Sequence, residues 1–550
     1  MRAALAVLAI IGCGAPTSVK LAPRLAPPDA LDLRAPGATY LSTVANRLEP
    51  GWSQFLADCR ARLPASHPLN AMTLAATAEL AIDTAGQVAS VRIAAPSGNA
   101  DFDRAVGDVI ADAKELAVPP PELLADDDRV HVRWLFARDR RQAGPATAEL
   151  VTVRLPLASV VPRLLARGEL PRAAHRIAMA PAGDEREAAT RRLMIAALAE
   201  ALAGADDRVR KAALDAVAQA KTGELAANVR ALFAETSGAE LRAAAALAAA
   251  AIGDRDAAPR LVADLPRDLT EQPTVALAET RALVALGRTA DAARLIGAAF
   301  DHAPNSSAAL AFALAPEPER VPGLIVRFAH GDAATRALLC GAIATAPAGA
   351  ASVAAGLRDA DATVRASCAE AAHDRALVPR LVELVRDRDR SVRARAIATL
   401  AAVDPAKLPA IDDPAALVRA AYATALAAIP ARASSLHALA DDRDPDVRAA
   451  AWRSLASLPA GTVTAADAVR AASDASPQVR LAVVPVLGDE AVLERLARDD
   501  APELRAAALV RLVALRGRAA SEPELLEHLA AAPAASAERV RIALAWLLAG

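Results

Sequence analysis

Hydrophobic and polar residues alternate with a period of two in three segments between residues 73 and 136. The alternation covers residues 73–83, the segment "VASVRIA" at 88–94 and the segment "RVHVRWLF" at 129–136. A period of two places every second side chain on the same face, so each segment is predicted to be a strand with one buried face. The sequence "DTAG" at 83–86 predicts a short hairpin loop between the first two strands.

Apolar spacings of three and four residues predict helices on both sides of this hairpin. Residues 40–62 carry such a pattern, which Pro50 and Gly51 are expected to divide into two pieces. Residues 102–113 repeat the spacing, and this helix should end before the proline run at 119–121. The order of helix, two strands, helix and strand predicts a small α+β domain over residues 39–140.

A short phrase built around Val-Arg or Leu-Arg recurs from about residue 190 to the end of the chain. It reads "DATVRASCA" at 361, "DRSVRARAI" at 389, "DPDVRAAAW" at 444 and "SPQVRLAVV" at 476. The arginines that mark it are spaced by 28, 26, 29, 32 and 25 residues, and they are Arg365, Arg393, Arg419, Arg448, Arg480 and Arg505. A helical repeat near this length predicts an all-α superhelical solenoid over residues 190–550.

One copy of the phrase shows why it should begin a helix. Asp444 can accept hydrogen bonds from the first turn, and Pro445 suits the first helical position because an N–H there has no partner. Apolar residues then follow at helical spacing, and they are Val447, Ala450, Ala451, Leu455 and Leu458. Each repeat is therefore expected to be a helix pair that needs its neighbours to bury this face.

The composition agrees with closely packed helices. Hydrophobic residues make up 54% of the 550 residues and aromatic residues only 2%, so burial must come largely from Ala, Leu and Val. The formal net charge is −2, which gives no reason to expect nucleic acid as a partner. Residues 141–189 are expected to form a helical connector between the two domains.

The N-terminus carries a short apolar run that is typical of an export signal. It reads "MRAALAVLAIIGCG", with Arg2 followed by apolar residues over a length too short to span a bilayer. The segment around Cys13 resembles the lipobox of bacterial lipoproteins, which implies a signal peptide over residues 1–12 and a lipid anchor on Cys13. A secretory signal that happens to contain Cys is the alternative. Residues 13–38, rich in Pro and Ala, are expected to be a tether.

The small domain resembles the TonB/TolA C-terminal domain family over about residues 39–138. The resemblance rests on Tyr40 and Trp52, on "IDTAGQVASVRI", "PSGNADFDRAV" and "VPPP", and on "VHVRWLF" at the end. It implies a periplasmic domain that binds an extended peptide by pairing an edge strand with it. The last strand is the candidate edge, and its residues are Val130, His131, Val132, Arg133, Trp134, Leu135 and Phe136.

The repeat array resembles HEAT repeats, in the short bacterial form also found in bilin-lyase-like proteins. In that family the Asp and Arg residues of successive repeats interact, which implies a structural role for Arg393, Arg448 and Arg480. The phrase is less regular between about residues 257 and 333. Cys340 and Cys368 lie in Ala-rich segments and are expected to be core residues, since four cysteines are too scattered for a disulfide framework.

Catalytic and metal-binding motifs are absent from the sequence. The eight histidines are isolated, and no phosphate-binding glycine loop or nucleophile elbow occurs. The cluster of Ser97, Asp101 and Asp103 in "PSGNADFDRAV" has no base near it in sequence, so it is interpreted as a turn and a helix cap. We therefore expect no enzyme activity, no cofactor, no metal and no small-molecule substrate.

Three hypotheses for function follow. The first is a lipid-anchored scaffold on the periplasmic side of a Gram-negative envelope, in the outer membrane rather than the inner, whose two domains bind envelope proteins. The second is accessory energy transduction to an outer-membrane transporter. The third, suggested only by the repeats, is an enzyme of the bilin-lyase type.

Overall fold

The computed structural model of this chain describes residues 36–113, 115–236, 238–302 and 311–549. It divides into two compact units, Met1–Val160 and Val161–Gly550. The predicted signal peptide, the lipid attachment at Cys13 and all but the end of the predicted tether lie outside the described residues. The helix Leu157–Ala166 contains the boundary between the units.

The described residues of the first unit form an antiparallel sheet and the two α-helices that pack against it. Its elements in chain order are α1 (Pro36–Arg62), β1 (Ala75–Ile82), β2 (Val88–Ala95), α2 (Ala100–Asp112), β3 (Val130–Ala137) and β4 (Glu149–Val151). The strands lie in the order β2-β1-β3-β4. The three strands and the second helix that the periodicity predicts are thus present, within two residues of the predicted bounds.

Helix α1 corrects one prediction. It runs unbroken from Pro36 to Arg62 with Pro50 inside it, so Pro50 and Gly51 do not divide it. Proline removes one backbone hydrogen bond. The buried stripe on both sides of that point holds the helix against the core, and its members are Tyr40, Leu41, Val44, Leu48, Trp52 and Leu56.

Aromatic rings join α1, α2 and the sheet in one core. The ring of Trp52 in α1 lies 5.3 Å from that of Phe102 in α2 and 5.0 Å from that of Phe136 in β3, both edge to face. The indole N–H of Trp52 also donates to the carbonyl of Ala137 at 3.3 Å. The helices therefore cover the sheet face that carries Phe136.

Strand β4 corrects the prediction of a wholly helical connector at 141–189. Glu149–Val151 pairs antiparallel with β3, between His131 and Arg133. The first unit consequently extends past residue 140 to Val160. Three residues are too few to show a periodicity of two, which is why the sequence pattern missed this strand.

The second unit is all-helical and confirms the predicted solenoid class. After Leu170–Ala178, most helices alternate between two series, the first helices and the second helices of successive repeats. The exceptions are Thr289–His302 and Val321–His330, both first helices, and Arg390–Val403 and Ala416–Ala425, both second helices. The first helices are Asp184–Ala203, Ala226–Glu235, Ala258–Glu271, Thr289–His302, Val321–His330, Ala350–Gly356, Val378–Leu384, Ala433–Leu439, Ala465–Ala471, Glu490–Leu496 and Arg518–Ala531. The second helices are Asp207–Ala220, Ala239–Ala251, Pro273–Ala285, Ala333–Ile343, Ala362–Ala371, Arg390–Val403, Ala416–Ala425, Pro445–Ala456, Pro477–Val483, Pro502–Arg516 and Ala537–Leu548.

The recurrent phrase begins the second helices, as predicted. Asp444 caps Pro445–Ala456 by accepting from the backbone N–H of Asp446 at 3.0 Å, with Pro445 in the first turn. Asp361 and Asp389 cap their helices in the same way. These caps satisfy N–H groups that have no partner within the helix.

The array of the second unit closes on itself. Most second helices contact the next second helix along the chain, and most first helices contact mainly the second helix of their own repeat. The last second helix, Ala537–Leu548, packs against both Asp184–Ala203 and Asp207–Ala220, and Arg518–Ala531 packs against Leu170–Ala178. Because second helices contact each other from repeat to repeat, we infer that they form the inner side of this unit.

A buried polar cluster holds this closure. Glu522 accepts from Nε of Arg186 at 2.5 Å through Oε1 and from the indole of Trp546 at 3.2 Å through Oε2. The guanidinium of Arg518 lies 4.3 Å from the centroid of the Trp546 ring and pairs with Glu187 at 2.8 Å. Arg186 and Glu187 are about 330 residues from their partners, so these contacts join the two ends of the array.

Replacing Glu522 should open the closure. Glu522→Gln removes the buried carboxylate and leaves Arg186 without its charged partner, at a cost of about 3 kcal/mol. We expect faster amide hydrogen exchange in Ala537–Leu548 and Leu170–Ala178 together, measured by mass spectrometry. Glu527→Gln, on the exposed side of the same helix, is the control. Unchanged exchange in Glu522→Gln would show that the pair does not hold the ends together.

Candidate interaction surfaces

The predicted edge strand is an interior strand. Strand β3 pairs with β1 along its whole length and with β4 over His131–Arg133, so the prediction that β3 is the edge is wrong. Four of its seven candidate residues are buried towards the helices, and they are Val130, Val132, Trp134 and Phe136. The remaining three, His131, Arg133 and Leu135, are half-buried and alternate with them.

His131 has a local carboxylate partner. Its Nε2 lies 2.9 Å from Oδ2 of Asp127. No group of three or more metal-ligating side chains occurs in the described parts of the chain. The contact with Asp127 thus connects the start of β3 to the loop that precedes it.

Strand β2 is the long open edge of the sheet. Its residues from Ala89 to Arg92 are exposed, and its neighbour on one side is β1. On the other side, an isolated bridge between Gln87 and Glu115 covers only the residue before the strand. Among the described residues, no strand pairs with the outer edge of Val88–Ala95. Its outward-facing backbone groups can therefore pair with an added strand.

A row of alternating charges crosses all four strands on the outer face. Arg92 in β2, Glu79 in β1, Arg133 in β3 and Glu149 in β4 are directly opposite one another in the strand register. Arg133 lies 2.9 Å from Glu79 and 3.1 Å from Glu149, and Arg92 forms a salt bridge with Glu79. Hydrogen bonds from Arg133 and then Arg92 lower the pKa of Glu79. Opposite charges in this arrangement stabilise the strand pairs.

The sequence alone does not reveal that these four residues form a charge row. Glu79 and Arg92 occupy outward positions of predicted strands, which was the available signal. The register that sets them opposite each other, and the strand that contributes Glu149, come only from the tertiary structure.

The turn "PSGNADFDRAV" is a helix cap, as interpreted from the sequence. Asn99 is the cap, and its Oδ1 accepts from the N–H groups of Asp101 and Phe102 at 3.0 and 3.1 Å. Asp103 accepts from the backbone N–H of Ser97 at 2.8 Å. Gly98 takes a positive φ of 84°. Ser97 and Asp103 thus stabilise the entrance to α2.

Arginine–aspartate pairs connect successive repeats of the solenoid. Arg419 donates to Asp442 of the next repeat at 2.7 and 2.9 Å and to the carbonyls of Asp413 and Pro414 in its own repeat. Asp442 in turn accepts from the backbone N–H of Asp444 at 2.8 Å, and Arg419 lowers the pKa of Asp442. Each pair therefore fixes one repeat to the loop of the next.

The same geometry recurs along the array and gives Arg393, Arg448 and Arg480 structural partners, as the HEAT resemblance implies. The pairs are Arg336–Asp359, Arg365–Asp387, Arg393–Asp413, Arg419–Asp442, Arg448–Asp474 and Arg480–Asp499. The guanidinium groups of these arginines therefore form contacts within the fold, which indicates a structural role rather than ligand binding.

A buried cluster replaces this pattern in the less regular repeats. Arg242 lies within 3.5 Å of three carboxylates, those of Asp264, Asp268 and Glu279. Burial raises the pKa of Glu279 to about 9, and the neighbouring Asp268 contributes to the increase. Glu279 is fully buried, and its Oε2 has no hydrogen-bond partner among the described residues. Glu279 is therefore protonated at neutral pH.

This buried acid predicts a stability that falls as the pH rises. The folded state holds a proton on Glu279 that the unfolded chain releases above its ordinary pKa. The contribution of Glu279 to the free energy of unfolding is therefore greatest below about pH 4.5. This contribution declines as the pH rises from there to about 9. Glu279→Gln should remove that decline and raise the melting temperature at pH 8 relative to the natural chain, by calorimetry. Glu271→Gln, exposed on a neighbouring helix, should leave the decline intact. An equal decline in both variants would contradict the assignment.

Cys340 and Cys368 form a disulfide, which corrects the expectation that they are only core residues. The bond joins the second helices of two consecutive repeats, with Cα atoms 5.0 Å apart and a sequence separation of 28. This separation equals one of the repeat spacings, which is the signal in the sequence. Cys59, in contrast, is a buried free thiol whose pKa burial raises. Disulfides persist mainly in oxidising compartments.

The disulfide should stabilise these repeats by about 2–4 kcal/mol. We expect peptide mapping without reductant to recover Cys340 and Cys368 in one cross-linked peptide. The double variant Cys340→Ala and Cys368→Ala should melt at a lower temperature, and reductant should lower the melting temperature of the natural chain but not that of the variant. Free thiols at both positions in protein from the oxidised envelope would contradict the bond.

Within the described ranges, no helix combines the length and the apolar character that crossing a bilayer requires.

The two units are similar to different known proteins. No curated protein matches the chain. Solved structures that match the helical array include a chain from the complex in which Kap95p binds RanGDP. It is 14% identical, with 67% of this chain and 60% of that chain covered and a TM-score of 0.27. A mutant of Kap121p is 11% identical, with 70% and 49% covered and a TM-score of 0.26.

An engineered protein is also similar to the array, at 20% identity, with 66% of this chain and 98% of that chain covered and a TM-score of 0.21. The chain thus spans less than two thirds of the two karyopherin chains. Residues 37–132, which hold α1 to the first part of β3, match the family of the TonB C terminal.

Proposed function

We propose that this protein is a non-catalytic interaction scaffold of the bacterial envelope, in which the TonB-like domain binds an extended peptide and the solenoid binds another protein. The observation that carries the proposal is the open edge of β2 in a domain that matches the TonB C-terminal family. An exposed edge gains main-chain hydrogen bonds when a peptide adds to the sheet, which gives affinity without a pocket.

The peptide docks on β2 rather than on β3 in this proposal. Strand β4 occupies part of the outer side of β3, over His131–Arg133. The remaining end of β3 is covered near Ala137, whose carbonyl accepts from Trp52. Strand β2 instead offers eight residues with an uncovered outer edge. The longer edge allows more main-chain hydrogen bonds to the peptide.

The inner side of the solenoid is the proposed surface for a second partner. Exposed leucines on second helices include Leu247, Leu417, Leu481, Leu515 and Leu548. The arginines of the recurrent phrase are held in cross-repeat pairs, so these leucines remain available for apolar contacts. A partner with apolar side chains fits this side of the unit.

The disulfide and the N-terminal pattern support the proposed location. A Cys340–Cys368 bond favours an oxidising compartment, and the short apolar run before Cys13 is typical of export. We infer that a lipid on Cys13 holds the protein at the periplasmic side of the envelope, with the outer membrane favoured. No observation on the described residues favours energy transduction or tetrapyrrole chemistry over this scaffold.

Proline substitution at two adjacent positions tests the docking edge with an internal control. Successive N–H groups of a strand point to opposite edges, so Ala89→Pro and Ser90→Pro remove one N–H that faces β1 and one that faces outwards. The outward proline variant is the one that loses the N–H facing away from β1. We expect it to keep the melting temperature of the natural chain. We also expect it to lose binding of a fluorescent peptide of alternating Val and Ser, measured by anisotropy with the full chain.

The other proline variant is the matched comparison. It should have a lower melting temperature, because it loses the N–H that bonds to β1, and this loss identifies which of the two positions faces β1. In the natural chain, bound peptide should slow amide hydrogen exchange in Val88–Ala95. Peptide binding that survives in both proline variants, or protection confined to other strands, would overturn docking at β2.

A further inference from the structure

The charge row of the sheet is incomplete at β2. Glu79 lies between two arginines and Arg133 lies between two glutamates, whereas Arg92 has a charged partner on one side only. The side chain of Arg92 is 71% exposed, against 25% for Glu79. A strand added beyond β2 would bring one of its residues directly opposite Arg92 on the same face. An acidic residue there would continue the alternation, and a basic residue would be repelled.

The opposite face of β2 sets the chemistry of the flanking positions. Val91 and Ile93 are opposite Leu80 and Ala78 in the register, and these two β1 residues are buried towards the helices. Val91 is 38% exposed and Ile93 half-buried, so both lie at the rim of the core. The neighbours of an acidic residue in an added strand would meet Val91 and Ile93. Apolar side chains at those positions would extend the buried face.

The register makes this arrangement specific. The irregularities in the pairing of β1 with β2 lie between Thr77 and Ala78 and between Ala81 and Ile82. The stretch that holds Arg92 with Val91 is regular between them, so its side chains alternate strictly. A one-residue slip of the added strand would set its acidic residue among apolar side chains and an apolar one against Arg92.

A second copy of this chain is a poor occupant of the same edge. Antiparallel pairing of two β2 strands about the middle would bring Arg92 of each copy to the same face and close to its counterpart. Like charges in such positions destabilise strand pairing. Charge complementarity therefore favours a different, acidic segment.

We propose that the partner of the β2 edge is an extended peptide segment in which an acidic residue stands between two apolar residues, with Arg92 opposite the acidic side chain and Val91 and Ile93 opposite its neighbours. This inference rests on the proposed function, which supplies the docking edge. It adds the chemical class of the ligand and its register.

Binding of three matched peptides to the full chain tests the assignment. The peptides alternate Val and Ser and carry a single central Glu, Lys or Ser, and anisotropy gives their dissociation constants. We expect the Glu peptide to bind about two- to fivefold more tightly than the Lys peptide. The difference should shrink as salt is raised, because the pair is exposed. Arg92→Glu should reverse the preference.

Arg104→Glu is the matched control. Arg104 is exposed and pairs with Asp101 on α2, so the variant changes the net charge equally without altering β2. It should leave the preference for the Glu peptide unchanged. An equal loss in Arg92→Glu and Arg104→Glu would show that only net charge matters, which overturns the assignment of Arg92.

The outcomes separate this inference from the proposed function. If all three peptides bind with one affinity and the outward proline variant still abolishes binding, the edge docks peptides and the role of Arg92 is wrong. If none of the peptides binds, the docking edge itself fails. Self-association of the natural chain that the outward proline variant abolishes would show a second copy on β2 and overturn the acidic partner.

Discussion

The need of each helix pair to bury its apolar face against a neighbour governs the larger unit. A repeat rich in Ala, Leu and Val has little surface of its own that can remain exposed, so every second helix requires another on each side. An open array satisfies this requirement everywhere except at its two ends. Here the ends satisfy each other, because Ala537–Leu548 packs on Asp184–Ala203 and Asp207–Ala220.

The polar residues of the solenoid serve the same requirement. Arg–Asp pairs such as Arg419–Asp442 fix the angle between successive repeats by combining two side-chain hydrogen bonds with two to backbone carbonyls. Where this pattern is interrupted, Arg242 lies near three carboxyl groups, and one of them, that of Glu279, is protonated. At the closure, Glu522 takes the corresponding role between Arg186 and Trp546. The solenoid thus uses its charges largely to hold itself together.

The small domain, in contrast to the solenoid, leaves one edge of its sheet without a partner among the described residues. Its sheet buries one face under α1 and α2 and partly covers β3 with the short strand β4, yet it leaves β2 uncovered. Exposed edges invite pairing with other chains, and proteins commonly block them. The charge of Arg92 at the end of the row limits which strands can add there. The open edge is therefore compatible with a selective binding surface rather than with indiscriminate aggregation.

Periodicity in the sequence determined the local elements of this protein. Alternation between polar and apolar residues located β1, β2 and β3, and the phrase around Val-Arg or Leu-Arg located the start of many second helices, with an Asp cap at several of them. Both signals depend on neighbours within a few residues. Contacts between distant residues decided the rest. The continuity of α1 through Pro50, the addition of β4, the interior position of β3, the Cys340–Cys368 bond and the meeting of the solenoid's ends all depend on what packs against each segment. The candidate site moved from β3 to β2 for the same reason, since strand order is a property of the sheet and not of any one strand's sequence.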